Sequence, residues 1–187
     1  MRILIDLQGA QCDSRFRGIG RYSLSLALAM ARNAGEHEIW LALSAAFPQS
    51  ILDLRQAFSD LIPQERIRVF SIPQPTAEVD PANGWRARAA EIIREEFLES
   101  IQPDVIHIPS LFEGYGDDAV ASLGIWTSGY KTAVTLHVLI PFLDQASYLP
   151  NPIIRDYYFR KIDSIKHAGL LLAISESSRN EAMSALS

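Results

Sequence analysis

The chain has 187 residues, 48% of them hydrophobic, with 17 Lys and Arg against 22 Asp and Glu for a formal net charge of −5. This length is expected to form one domain that buries a core without staples, and the acidic balance argues against nucleic acid, whose phosphates need a basic face. The single cysteine, Cys12, excludes an internal disulfide and fits a reducing compartment; with no secretory leader pattern and no run near the ~20 apolar residues of a membrane span, a cytoplasmic protein is expected.

The elements alternate in type along the chain. Residues 3–7 (ILIDL) read as a buried strand, and residues 20–33 as a helix closed by Gly35. Residues 38–43 (EIWLAL) form a second strand, and residues 49–61 a helix stopped by Pro63. Residues 66–72 (RIRVFSI) alternate as a third strand. A loop with Pro73, Pro75 and Pro81 then leads to an amphipathic helix over 85–101, whose apolar stripe is Ile92, Ile93, Phe97, Leu98 and Ile101. Pro103 ends it before a fourth strand at 104–108 (DVIHI). A loop at 113–118 leads into a short helix at 119–123 and a fifth strand at 132–136 (TAVTL). After a proline-rich loop at 149–152 come a helix at 154–167, a sixth strand at 170–174 (LLLAI) and a final helix from Ser175. That last pattern continues to Ser187 with no stop signal, as at a cut domain edge. Short apolar strands separated by helices predict an α/β domain: a Rossmann-like, doubly wound, mostly parallel sheet.

The turn Phe16-Arg17-Gly18-Ile19-Gly20-Arg21-Tyr22 joins the first strand to the first helix. Gly18 and Gly20 allow a tight turn and close approach of a ligand. The helix start aims free N–H groups at that point, which favours an anion by ~0.3–1 kcal/mol. Arg17 and Arg21 bracket it; a plain turn with solvated arginines reads the same residues. The dinucleotide fingerprint is incomplete, because Ser23 stands at its third glycine and no acidic residue closes the second strand.

His137 lies just past the fifth strand, where ligands gather in open α/β sheets. It reads either as a hydrogen-bonding partner for a sugar hydroxyl or as an imidazole satisfied by backbone. His107, between Ile106 and Ile108, is expected in the core, with Ser110, Glu113 and Gly114 following it into the same cleft. His37 and His167 end helices. Ser175-Glu176-Ser177-Ser178 reads first as an N-cap, and second as a carboxylate, Glu176, at the cleft mouth. The helix at 154–167 carries Arg155, Arg160, Lys161 and Lys166, either as a solvated face or as a peripheral contact with anionic lipid headgroups. No Cys/His/Asp cluster has metal-ligand spacing.

These motifs in this order resemble the amino-terminal half of GT-B glycosyltransferases of the family 4 type, notably mannosyltransferase-like enzymes of bacterial surface polysaccharide assembly. The resemblance rests on Ile3-Leu4-Ile5-Asp6, on Arg17-Gly18-Ile19-Gly20-Arg21-Tyr22, on Thr135-Leu136-His137-x-Leu139-Ile140-Pro141 and on Leu172-Ala173-Ile174-Ser175-Glu176-Ser177-Ser178-Arg179. It spans the whole chain, so residues 1–187 are expected to be a single acceptor-side domain, with the donor-binding domain absent from this chain. The resemblance implies a retaining hexosyltransferase that uses a nucleotide-sugar and neither cofactor nor metal, acts on a sugar or lipid-linked sugar acceptor, and works in the cytoplasm or at the inner face of the membrane. It implies that His137 lies near the transferred sugar and that the Gly18–Gly20 turn contacts the donor diphosphate or the acceptor; together with the reading of the loops, Arg17, Gly18, Ile19, Gly20, Arg21, Ser110, Glu113 and Glu176 are expected to bind substrate or phosphate. Leaving-diphosphate charge would be stabilised electrostatically. The family commonly has Asp where this chain has Val138. Without the donor half, this chain alone is expected to be inactive. The other readings are a stand-alone Rossmann-like nucleotide-binding or regulatory module and an NAD-dependent or sugar-nucleotide-modifying enzyme, a 2-epimerase among them.

Overall fold

A computed structural model describes residues 1–127, 129–137 and 139–186. Six strands form one sheet: β1 (Arg2–Asp6), β2 (Glu38–Ser44), β3 (Ile67–Phe70), β4 (Val105–Ile108), β5 (Thr132–Leu136) and β6 (Leu170–Ala173). Their order is β3-β2-β1-β4-β5-β6, and every pairing is parallel. The helices are α1 (Gly18–Arg32), α2 (Pro48–Ala57), α3 (Gly84–Ser100), α4 (Ile140–Leu143), α5 (Gln145–Tyr148), α6 (Pro152–Ile165) and α7 (Glu176–Ala185). This is the α/β, Rossmann-like, all-parallel sheet that the alternation of elements predicts.

The strands are short apolar runs because both faces are covered. Ile5, Ile39, Leu41 and Leu43 pack against Ala27 and Ala31 of α1 and Leu54 of α2. Leu4, Ile106, Val134 and Leu136 belong to the other core, with Leu98 of α3 and Tyr158, Ile162 and Ile165 of α6. Strand order reverses between β1 and β4, the switch point where the carboxyl ends of the strands leave a crevice.

Three expectations need correction. The helix after β2 ends at Ala57, short of residue 61. Phe58 and Ile62 turn inward to the core there, and the amides of Leu61 and Ile62 both bond the Phe58 carbonyl. On α3 the apolar stripe is not the whole buried face. Ile92 and Ile93 are exposed, whereas Glu91, Arg94 and Glu95 are buried with Ala87, Ala90 and Leu98. The helix expected at 119–123 does not form.

The last two corrections share one cause. Residues 119–123 and Thr127 are buried as irregular chain, with 124–126 reaching the surface between them, and a buried backbone must find partners. Side chains supply them. Gln8 bonds both the amide and the carbonyl of Val120, at 3.1 and 2.7 Å. Lys161 donates to the Ala121 carbonyl and Arg94 to the Ser122 carbonyl. Glu95 Oε2 accepts the consecutive amides of Ile125, Trp126 and Thr127 at 3.0, 2.6 and 2.9 Å. The charged face of α3 thus replaces the hydrogen bonds that a helix would have made for itself. Arg94 also pairs with Asp6 at the end of β1, which ties this loop to the switch point.

The helix expected at 154–167 forms as α6, but its basic residues do not make one solvated or lipid-facing stripe. Lys161 is buried, and Arg160 pairs with Glu78 and Glu91. Among the described residues no helix is long and apolar enough to cross a membrane.

Candidate functional site

Because all strands run parallel, the loops after β1, β4, β5 and β6 leave the same edge of the sheet. Contacts between them assemble one rim. The Tyr22 ring on α1 meets the His137 ring edge-on, centroids 5.3 Å apart. The Ser178 hydroxyl on α7 donates to the His137 carbonyl, and Glu181 accepts the Leu139 amide at 3.3 Å. Residues following β1, β5 and β6 therefore converge on His137.

His137 Nε2 lies 2.9 Å from the Pro109 carbonyl. A carbonyl only accepts, so the proton sits on Nε2 and Nδ1 is left as the acceptor. Burial lowers the imidazole pKa, and the Pro109 bond opposes this only in part. The ring is a neutral, oriented acceptor at neutral pH. Val138 lies outside the described residues, so the position where the family commonly has Asp adds nothing here.

The glycine turn divides by role. A Cβ on Gly20 would lie 2.2 Å from the Ser14 carbonyl oxygen, so that glycine lets α1 press against the 3-10 turn Asp13–Phe16. A Cβ on Gly18 would meet nothing within 4 Å. Arg17 holds the N-cap position in extended conformation, with no side-chain cap. The amides of the first turn of α1, at Gly18, Ile19 and Gly20, thus lack the side-chain acceptor that Ser175 supplies to α7, where it takes the Ser178 amide at 3.1 Å. An uncapped helix start beside Arg17 is chemically suited to an anion.

Between the loops after β1 and β4 lies a cleft of about 250 Å³, lined by Asp13, Ser14, Arg17, Glu113, Tyr115 and Asp117 among others. Glu113 sits in its wall already engaged, while Ser110 is buried outside the lining and bonds Glu113. Glu113 accepts Ser110 Oγ at 2.7 Å, Ser14 Oγ at 2.8 Å and Cys12 Sγ at 3.3 Å. Burial raises the Glu113 pKa against those donors. Burial, then the Glu113 charge, pushes the Cys12 thiol up, so it stays protonated. Glu113 thereby fastens the β1 loop to the β4 loop. Glu176 is exposed in the first turn of α7, where its charge complements the helix dipole.

His107 is buried, bonds Thr135 Oγ1 at 2.9 Å and has its pKa lowered to about 4 by desolvation, as a core residue. His37 Nδ1 stands 3.5 Å from the terminal amine, and His167 is exposed beyond α6. Sequence reasoning missed Tyr22, Ser178, Asp13 and Asp117 as parts of the rim. Tyr22 and Ser178 stand inside the motifs already singled out; nothing in the sequence marks the aspartates. Among the described residues no group of His, Cys, Asp and Glu could hold a metal ion.

The Rossmann-like sheet thus carries on its rim an uncapped helix start beside Arg17 and a neutral histidine, while Arg21 lines a separate cavity with Phe16, Gln49 and Asp53. Residues 16–186 match Glycosyltransferase Family 4, and the chain belongs to that family. It is 36% identical over 182 residues to a serotype-specific mannosyltransferase WbdA of Escherichia coli, covering 97% of this chain and 22% of that protein. A second WbdA of Escherichia coli is 33% identical over 154 residues, covering 82% of this chain and 19% of the relative. The chain thus spans a minor part of the curated relatives it matches, and it is a glycosyltransferase-family domain.

Proposed function

We propose that this chain is the acceptor-binding lobe of a retaining, nucleotide-sugar-dependent hexosyltransferase, a mannosyltransferase by its likeness to the two WbdA proteins, acting in cell-surface polysaccharide synthesis. Its acceptor is a sugar or lipid-linked sugar, met in the cytoplasm or at the inner face of the membrane. The observation that carries this reading is the meeting of α1, the β5 loop and α7 at His137. Arg17 and the first-turn amides at Gly18, Ile19 and Gly20 face the charge of a diphosphate. His137, with Nε2–H committed to Pro109, takes a hydroxyl proton of the sugar onto Nδ1 as a hydrogen bond. Glu113 and Ser110 hold the floor rather than the ligand. Leaving-group charge is met by guanidinium groups and helix dipoles without a metal.

The test is transfer from a radiolabelled nucleotide-mannose to an oligomannoside acceptor. The chain alone is expected to show no turnover; joined to a donor-binding domain it is expected to transfer. His137→Ala should then lower kcat about a hundredfold, with the melting temperature lowered only by the loss of the Pro109 bond and the Tyr22 contact. Wild-type rates in that variant would remove His137 from the site. Turnover by the chain alone would overturn the two-lobe reading.

A further inference from the structure

A second cavity opens on the face of α3 and α6. Its volume is about 460 Å³, within the ~300–1,000 Å³ of small-molecule sites. Glu78, Asp80, Arg88, Asp156, Tyr157 and Arg160 line it. It is joined directly to the rim. The loop carrying Glu78 lies along residues 114–118: the Glu78 amide bonds the Gly114 carbonyl at 3.1 Å and the Val79 amide the Tyr115 carbonyl at 2.8 Å. The Tyr157 hydroxyl donates to the Glu113 carbonyl at 2.9 Å. The loop at 78–81 that walls this cavity is therefore hydrogen-bonded to the loop at 112–117 that walls the Arg17 cleft.

The charges in and behind the cavity nearly balance. Glu78 pairs with Arg88 and Arg160, and Glu91 pairs with Arg160 and Lys161. Asp80 and Asp156 add carboxylates at the edge. A cavity with internally paired guanidinium groups does not select an anion. It does offer donors and acceptors side by side, as vicinal hydroxyls require. Behind the lining, Glu91 Oε2 is buried without a hydrogen bond, and Arg88 Nη1 faces it only as an ion pair at 3.4 Å. Asp156 is exposed and carries no partner among the described residues. Tyr157 and Ile153 supply apolar surface for the C–H face of a pyranose.

We infer that this cavity is a saccharide subsite, holding a neutral stretch of the acceptor chain behind its reacting end. The inference rests on the acceptor-lobe reading for the identity of its occupant and on the cavity's own chemistry for its location.

The probe is mannotetraose, titrated into the isotopically labelled chain and followed by amide shifts. Two variants locate the binding. Gly84 lines the cavity in helical conformation, and a Cβ there meets nothing within 4 Å, so Gly84→Leu fills the space without displacing backbone. Asp156→Ala removes an exposed carboxylate. The expected result is shifts at residues 78–88 and 153–160, with affinity at least tenfold lower in Gly84→Leu, severalfold lower in Asp156→Ala, and melting temperatures unchanged. Absent shifts at those residues, or wild-type affinity in Gly84→Leu, would overturn the subsite. The transfer assay is separate: turnover with an indifferent cavity loses the subsite alone, and binding in the cavity without turnover by the joined protein loses the transferase reading alone.

Discussion

Two histidines of one sequence take opposite parts because of one strand's direction. His107 points into the sheet interior and His137 stands past the carboxyl end of the next strand. Burial disfavours the charged form of His107 and brings its pKa to about 4, below the ~6.5 of an unfolded chain. A depressed folded value means that stability is whole above pH ~6.5 and is lost as pH falls toward 4. The window corresponds to a loss on the order of 3 kcal/mol. Denaturant titrations from pH 7 to 4 should show that loss in the wild type and a shallower one in His107→Leu. Parallel curves for the two proteins would put the acid sensitivity elsewhere.

At the scale of elements, α3 departs most from an ordinary amphipathic helix. Its buried face carries Glu91, Arg94 and Glu95, each spent on another segment. Removing one partner from a buried charge network leaves the other groups unsatisfied. Glu95→Ala strips the acceptor from three consecutive amides, at Ile125, Trp126 and Thr127. The expected loss is ~3 kcal/mol, with hydrogen exchange at those loop amides accelerated while that of the sheet is not. Unchanged protection there would mean that the loop is held by its neighbours at Gln8 and Arg94 alone.

Across the whole molecule, cover is uneven. β6 is one of the two sheet edges, and Leu170 and Leu172 on it and Ile174 just past it are 54%, 41% and 46% exposed. Apolar surface on an open strand edge favours association. Sedimentation velocity should show concentration-dependent self-association of the chain and its reduction in Leu172→Lys. A monomer at every concentration would show that this edge is inert.

The order of strands and helices was legible because short continuous apolar runs and stripes of period 3.6 are local properties. The parallel sheet followed from their alternation, and the rim followed from parallelism, since every strand then ends at one edge. The glycine turn and the Ser175 cap were legible for the same reason: backbone geometry demands particular residues nearby. What the sequence could not show were partners far apart in the chain. Nothing local assigns Glu95 to the amides of 125–127, Gln8 to Val120, or Tyr22 to His137. The segment 119–123 looked helical because its own residues permit it. Only packing decided otherwise, by bringing charges from α3 and α6 to hydrogen bonds that a helix would have closed within itself.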